Sequence, residues 1–112
     1  MSLFNETLLW FMKRRMPRIE AMYERPLDLQ YDGLAQLIEA GRDTEWGRKY
    51  GYADFSSYAT FRERVPISTY EEMFPYIERM MQGEQNVLWS SPINWFSKSS
   101  GTTNARSKFI PV

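Results

Sequence analysis

The chain contains no cysteine and no histidine, and these two absences remove whole chemistries. Without a thiol there is no thiolate nucleophile; without an imidazole there is no Ser-His-Asp triad, no imidazole base and no zinc site of ordinary type. A surplus of one charge is also missing. The 14 basic and 14 acidic residues cancel, so no overall field recruits nucleic acid or an anionic membrane. Long apolar runs are lacking as well: Leu8-Leu9-Trp10-Phe11-Met12 falls far short of the ~20 residues that a membrane span requires. The cations Lys13-Arg14-Arg15 follow that run instead of preceding it, and no small-residue cleavage site comes after. No secretory signal is expected, and the default location is cytoplasmic. Internal repeats and low-complexity tracts are absent.

What remains is the material of a folded chain. At 112 residues it makes one domain at most, burying roughly two thirds of its unfolded surface. Apolar content of 43%, aromatics at 16% and seven methionines suffice for a core. Residues 5 to 23 carry Leu8, Met12, Met16, Ile19 and Tyr23 at helical spacing. Pro17 should kink or restart that helix. An amphipathic, cationic, Trp-containing segment of this kind fits a membrane-surface anchor or a packed helix, and Glu6, Glu20 and Glu24 dilute its positive face in favour of packing.

Arg25-Pro26 punctuates the chain. Asp28 is the expected N-cap of a second helix through Ala40, burying Leu34, Leu37 and Ile38, with Gly41 as C-cap. Asp43 or Thr44 should cap a third helix that stops at Gly51. Ser56 or Ser57 should open a fourth, turning Tyr58 and Phe61 inward until Pro66. Ser68-Thr69-Tyr70-Glu71 forms a capping box for a fifth, which Pro75 interrupts and Gly83 ends. A compact helical cluster is expected. The mixed-sign clusters Arg42-Asp43, Arg62-Glu63-Arg64 and Glu78-Arg79 read as solvated helix faces. From Val87 the pattern changes: Val87-Leu88-Trp89 and Ile93-Asn94-Trp95-Phe96, separated by Ser90-Ser91-Pro92, read as strands and turns. The fold class is therefore mainly α over about residues 1–83, with a short C-terminal β-hairpin over 86–112.

That hairpin carries the one stretch with chemical character, Ser99-Ser100-Gly101-Thr102-Thr103, with Arg106 and Lys108 behind it. Small residues let backbone N–H groups turn toward an anion, hydroxyls add donors, and cations supply charge-assisted bonds to phosphate oxygens. A Ser/Thr/Gly-rich turn without a ligand has the same composition. Neither the Walker A spacing nor the three-glycine dinucleotide fingerprint is present. Lys108-Phe109-Ile110-Pro111-Val112 reads as a short strand, so the context is strand, loop, strand.

This stretch, followed by a lysine and an Ile-Pro pair, resembles the phosphate-binding motif of the acyl-adenylate-forming superfamily. Its form is similar to that of the auxin-responsive-promoter family of acyl-acid amido synthetases. Asp43 to Gly51, Phe61 to Pro66, Pro75 to Met80 and Asn86 to Trp89 fit bacterial relatives of that branch, over roughly residues 40 to 112. Where the family has a small residue and then glycine after the second threonine, this chain has Asn104-Ala105. Asparagine tolerates a left-handed turn.

The resemblance implies the N-terminal fragment of a larger α/β adenylate-forming domain. The intact enzyme would bind ATP with Mg2+, adenylate a carboxylic acid and pass the acyl group to an amino acid amine. ATP phosphates would be held by Ser99, Ser100, Gly101, Thr102, Thr103, Arg106 and Lys108. The same resemblance puts nucleoside recognition, the acyl pocket and the acceptor site beyond Val112, so the fragment alone should be inactive and should self-associate. A fragment of an acyl-CoA ligase and a non-enzymatic helical interaction module are the alternatives.

Overall fold

A computed structural model describes residues 2–100 and 107–112 of the chain. The order of elements is α1 (Leu3–Glu24), α2 (Pro26–Gly41), α3 (Glu45–Tyr50), a single 3-10 turn at Tyr52–Asp54, α4 (Tyr58–Arg64), α5 (Tyr70–Met81), β1 (Phe96–Lys98) and β2 (Phe109–Pro111). The chain is thus mainly helical with a C-terminal antiparallel hairpin. It does not form one cluster, as expected, but two compact units, divided between Ala35 and Gln36.

In the first unit α1 continues through Pro17 instead of restarting there. Proline removes one N–H donor and leaves the carbonyl four residues back without its helical partner. Lys13 and its neighbours are exposed, so water can take that bond. No residue of α1 is buried: Leu8, Met12, Met16, Ile19 and Tyr23 are 42–85% exposed, against the expectation of a packed face. Within the whole chain no described helix is long and apolar enough to cross a membrane. α2 opens on Pro26, whose fixed φ and missing N–H suit the first helical position. Asp28 therefore sits in the first turn and not at the N-cap. Leu34 and Ile38 are half-buried, whereas Leu37 is exposed.

The second unit is built on caps. Gly41 is the last residue of α2 and is buried, not a left-handed stop. Its carbonyl accepts the Thr44 hydroxyl at 2.6 Å, and the same Thr44 oxygen accepts the Gly47 N–H at 3.0 Å. Thr44 is only 1% exposed, and both its hydrogen-bonding functions are satisfied. α3 ends at Gly51 with φ of 70°, a conformation that glycine adopts without steric cost. Ser57 caps α4 by accepting the Thr60 N–H at 3.3 Å. Phe61 packs with Tyr52 and Phe55, while Tyr58, expected inside, is exposed.

α5 uses the capping box one residue later than expected. Thr69 Oγ1 accepts the Glu72 N–H at 3.3 Å and the Thr69 N–H donates to the Glu72 carboxylate at 2.7 Å. Ser-Thr-Tyr-Glu-Glu offers two overlapping boxes, and side-chain spacing alone cannot choose between them. The helix also runs through Pro75, which is exposed. Gly83, at φ 101°, follows its end.

Val87-Leu88-Trp89 does not become a strand, nor does Ile93 to Trp95. Backbone groups of Val87 and Ile93 are engaged elsewhere. The carbonyls of Asn86 and Val87 accept the Glu45 and Trp46 N–H groups at 3.0 Å each, satisfying two of the orphan donors at the start of α3. Asn86 sits at φ 58°, and its side-chain amide donates to the Asp43 carbonyl at 3.0 Å. The Gln85 amide exchanges two hydrogen bonds with the Ile93 backbone, at 2.9 and 3.1 Å. This loop thereby delivers Val87 and Ile93 to Met80 of α5, with Tyr76, Leu88, Trp89 and Phe96 around them.

Candidate functional site

The hairpin pairs Phe96 with Pro111, Ser97 with Ile110 and Lys98 with Phe109. Beyond the strands the Ser99 N–H donates to the Lys108 carbonyl at 2.9 Å, and at the other end the Val112 N–H donates to the Trp95 carbonyl at 3.0 Å. Antiparallel pairs alternate between bonded and non-bonded, so Phe109 turns its N–H and C=O away from β1.

Ser99 and Lys108 close the stem on either side of the loop. The Lys108 N–H donates to the Ser99 hydroxyl oxygen at 3.2 Å, which leaves that hydroxyl its own proton to donate. Ser100 is exposed. Of the residues expected to hold phosphate, Ser99 and Lys108 are brought together, Ser100 follows Ser99, and Gly101, Thr102, Thr103 and Arg106 lie outside the described residues.

The stem is fastened to α5 by a residue the sequence does not mark. The Tyr70 hydroxyl accepts the Phe109 N–H at 2.9 Å and donates to the Phe109 carbonyl at 3.1 Å. Its ring lies under the Lys108 ammonium, 5.5 Å from Nζ to the centroid. Tyr70 and Phe109 are 39 residues apart, and an aromatic just after an N-cap reads as ordinary core. The only available signal was the cap itself, which fixes where the first turn of α5 begins.

The start of α3 and the end of α5 are tied by charge. Arg79 donates to both oxygens of Glu45, at 3.0 and 2.7 Å, and reaches Glu84 at 2.9 and 2.7 Å. The Arg79 hydrogen bond holds the Glu45 carboxyl below the usual carboxylate range, and the two carboxylates push the arginine upward. Arg79 is therefore a tie between α3 and α5 that lies on a partly solvated face. Lys49 donates to the Tyr76 hydroxyl at 2.7 Å and lies against the rings of Trp46, Tyr50 and Tyr76 at 5.3–5.8 Å. The Tyr76 bond raises its ammonium above the ordinary lysine range. Burial likewise raises the Tyr52 phenol.

Two other grooves are lined by cations, one on α1 by Arg14, Arg15 and Arg18 with Phe11, Ile19 and Met22, the other at α4 by Arg62 and Arg64 among others. An open groove of about 530 Å³ beside the end of β2 is lined by Met80, Leu88, Trp89, Pro92, Ile93 and Val112, among others, a largely apolar surface. Among the described residues no group of three or more acidic side chains is placed to hold a metal ion.

The described chain is thus a set of helices closed by a short antiparallel hairpin. Residues 15–112 match the GH3 family N-terminal domain, and the chain belongs to that family. It is 30% identical over 109 residues to indole-3-acetic acid-amido synthetase GH3.6 of Arabidopsis thaliana, covering 96% of this chain and 18% of that protein. It is 33% identical over 102 residues to a probable indole-3-acetic acid-amido synthetase, GH3.12, of Oryza sativa subsp. japonica, covering 87% and 17%. With the jasmonoyl-L-amino acid synthetase JAR6 of Nicotiana attenuata it shares 34% identity over 84 residues, covering 74% and 14%. The chain thus spans less than a fifth of the length of these relatives.

Proposed function

We propose that this chain is the N-terminal part of an ATP-dependent acyl-acid amido synthetase. The observation that carries the reading is the hairpin stem. It brings Ser99, the first residue of the Ser-Ser-Gly-Thr-Thr stretch, against Lys108, in a family whose members are named as amido synthetases of indole-3-acetic acid and jasmonate. The reaction has two halves. A carboxylate oxygen attacks the α-phosphorus of ATP, the bond to the β-phosphate oxygen breaks, and pyrophosphate departs. The amine of an amino acid then attacks the acyl carbon of the adenylate; AMP leaves, the nitrogen loses a proton and an amide forms.

The loop's part is electrostatic. Negative charge grows on the departing pyrophosphate, so donors already aimed at its oxygens stabilise the transition state more than the ground state. Ser99, Ser100, Thr102 and Thr103 supply hydroxyl and backbone donors, Gly101 permits close backbone approach, and Arg106 and Lys108 neutralise charge. Mg2+ enters as the ion carried by the triphosphate, since it favours phosphate and water oxygens over an all-protein cage.

The 112 residues alone offer a few hydrogen bonds, each about 0.5–1.5 kcal/mol net, and should not turn over. Exposed Trp95, Ile110 and Val112 should make the isolated chain self-associate, which sedimentation across a concentration series would detect. In the full-length protein, carboxylate-dependent exchange of labelled pyrophosphate into ATP reports the first half-reaction and amide formation from preformed acyl-adenylate the second. Thr102→Val should slow exchange by up to on the order of 10²-fold and leave the second half nearly unchanged. Equal loss in both halves, with an unaltered melt, would overturn the phosphate assignment. Release of the acyl group to coenzyme A but not to any amino acid would make the protein an acyl-CoA ligase.

A further inference from the structure

Phe109 faces away from β1, and an outward-facing strand residue ordinarily gives its N–H and C=O to water or to another strand. Here one side-chain oxygen takes both. A tyrosine hydroxyl has one proton and acceptor lone pairs, and Tyr70 uses both functions on the same residue, at 2.9 and 3.1 Å. The phenol is therefore fixed against the main chain directly beside Lys108. Its ring is then the surface over which the Lys108 ammonium lies, at 5.5 Å.

A lysine at a loop mouth has four rotatable stem bonds and loses that freedom when it grips an oxyanion. Contact with a ring face restricts the stem beforehand. It occupies none of the three N–H donors, because the attraction is to the ring quadrupole. We propose that Tyr70 is the positioning residue for this loop: its hydroxyl sets the backbone of β2 and its ring pre-aims the Lys108 ammonium across the stem from Ser99. The inference rests on reading residues 99–108 as the phosphate loop. Tyr70 itself touches no phosphate; it acts through Lys108, reducing what must be ordered on binding.

The test uses the full-length synthetase and three substitutions. Tyr70→Phe keeps the ring and removes the hydroxyl, Tyr70→Leu removes both, and Lys108→Met removes the charge. In pyrophosphate exchange Tyr70→Leu should raise the KM for ATP by about 3–10-fold, with Tyr70→Phe in between, since a ring–cation contact and a lost restraint together are worth about that much. Amide formation from preformed acyl-adenylate should not change. In the Lys108→Met background Tyr70→Leu should add less than about twofold, because residues acting through one another are not additive. An equal Tyr70→Leu effect with and without the lysine would overturn the proposal, leaving Tyr70 as stem packing. A Lys108→Met enzyme with unchanged ATP dependence would instead remove the phosphate reading itself. Should Tyr70→Leu fail to fold, Tyr70→Phe and amide exchange decide the matter: the peptide containing Phe109 should exchange at least about tenfold faster than wild type at equal melting temperature. Unchanged exchange would show that the hydroxyl holds nothing.

Discussion

A Cβ built on Gly47 would run into the Gly41 carbonyl oxygen, with the Arg42 carbonyl close behind. Both obstacles are backbone and cannot rotate away, so Gly47→Ala should cost more than about 2 kcal/mol, seen as a lowered thermal midpoint. Gly33, inside α2, meets nothing within 4 Å, and Gly33→Ala should stabilise by up to about 1 kcal/mol through helix propensity. Glu45 makes a prediction in pH. Its carboxyl titrates below the ordinary 4.5 in the folded chain and returns toward that value once unfolding releases Arg79. The unfolded state then binds more protons in the acid range, so stability rises with pH there. The advantage of wild type over Glu45→Gln in thermal midpoint should be complete above about pH 4.5 and shrink as the pH falls through the lower folded value. A difference that ignores pH would mean that the ion pair is not its source. At this scale the sequence was readable where a residue acts on its neighbours, as Thr44 does on Gly47. It was silent where the partner is distant: Tyr70 with Phe109, Arg79 with Glu45, Asn86 with Asp43.

Among elements, helices declared themselves and their frames did not. The capping box of α5 was visible, but its frame belongs to Thr69 and Glu72. Thr69→Ala should therefore destabilise by about 1 kcal/mol and Ser68→Ala by less than about half of that, compared in denaturant titrations. The reverse ranking would restore the earlier frame. Pro17 and Pro75 failed as breakers because both lie on exposed positions, where water can replace the missing bond. Val87-Leu88-Trp89 and the start of the second run, Ile93-Asn94, failed as strands for another reason, while Phe96 at its end opens β1. Their β propensity is real, but a strand needs a partner, and here the Asn86 and Val87 carbonyls serve α3 while Ile93 is held by Gln85. The hairpin was legible as strand, loop, strand because its pairing is local.

For the whole molecule, burial is uneven. No residue of α1 is buried, whereas Met80, Val87 and Ile93 are 2–9% exposed. Local opening follows such differences, so amides of Leu3–Glu24 should exchange well before those of Ile77 to Met81. Equal protection in the two would mean that α1 is covered in solution.

The hairpin also has a consequence for assembly. The outer side of β2 offers no free donor along its length: Phe109 is occupied by Tyr70, and Pro111 has no N–H to give. Across the hairpin Phe96 and Lys98 of β1 have no backbone hydrogen bond on their outer side among the described residues. A sheet enlarged from this hairpin can therefore grow in one direction only. Two isolated chains meeting by strand addition must join β1 to β1 about a two-fold axis, and the pair so formed presents two blocked margins to a third. Association through this edge would then favour a closed pair over a fibre, because the margin left outside offers a single carbonyl, that of Pro111, and no donor.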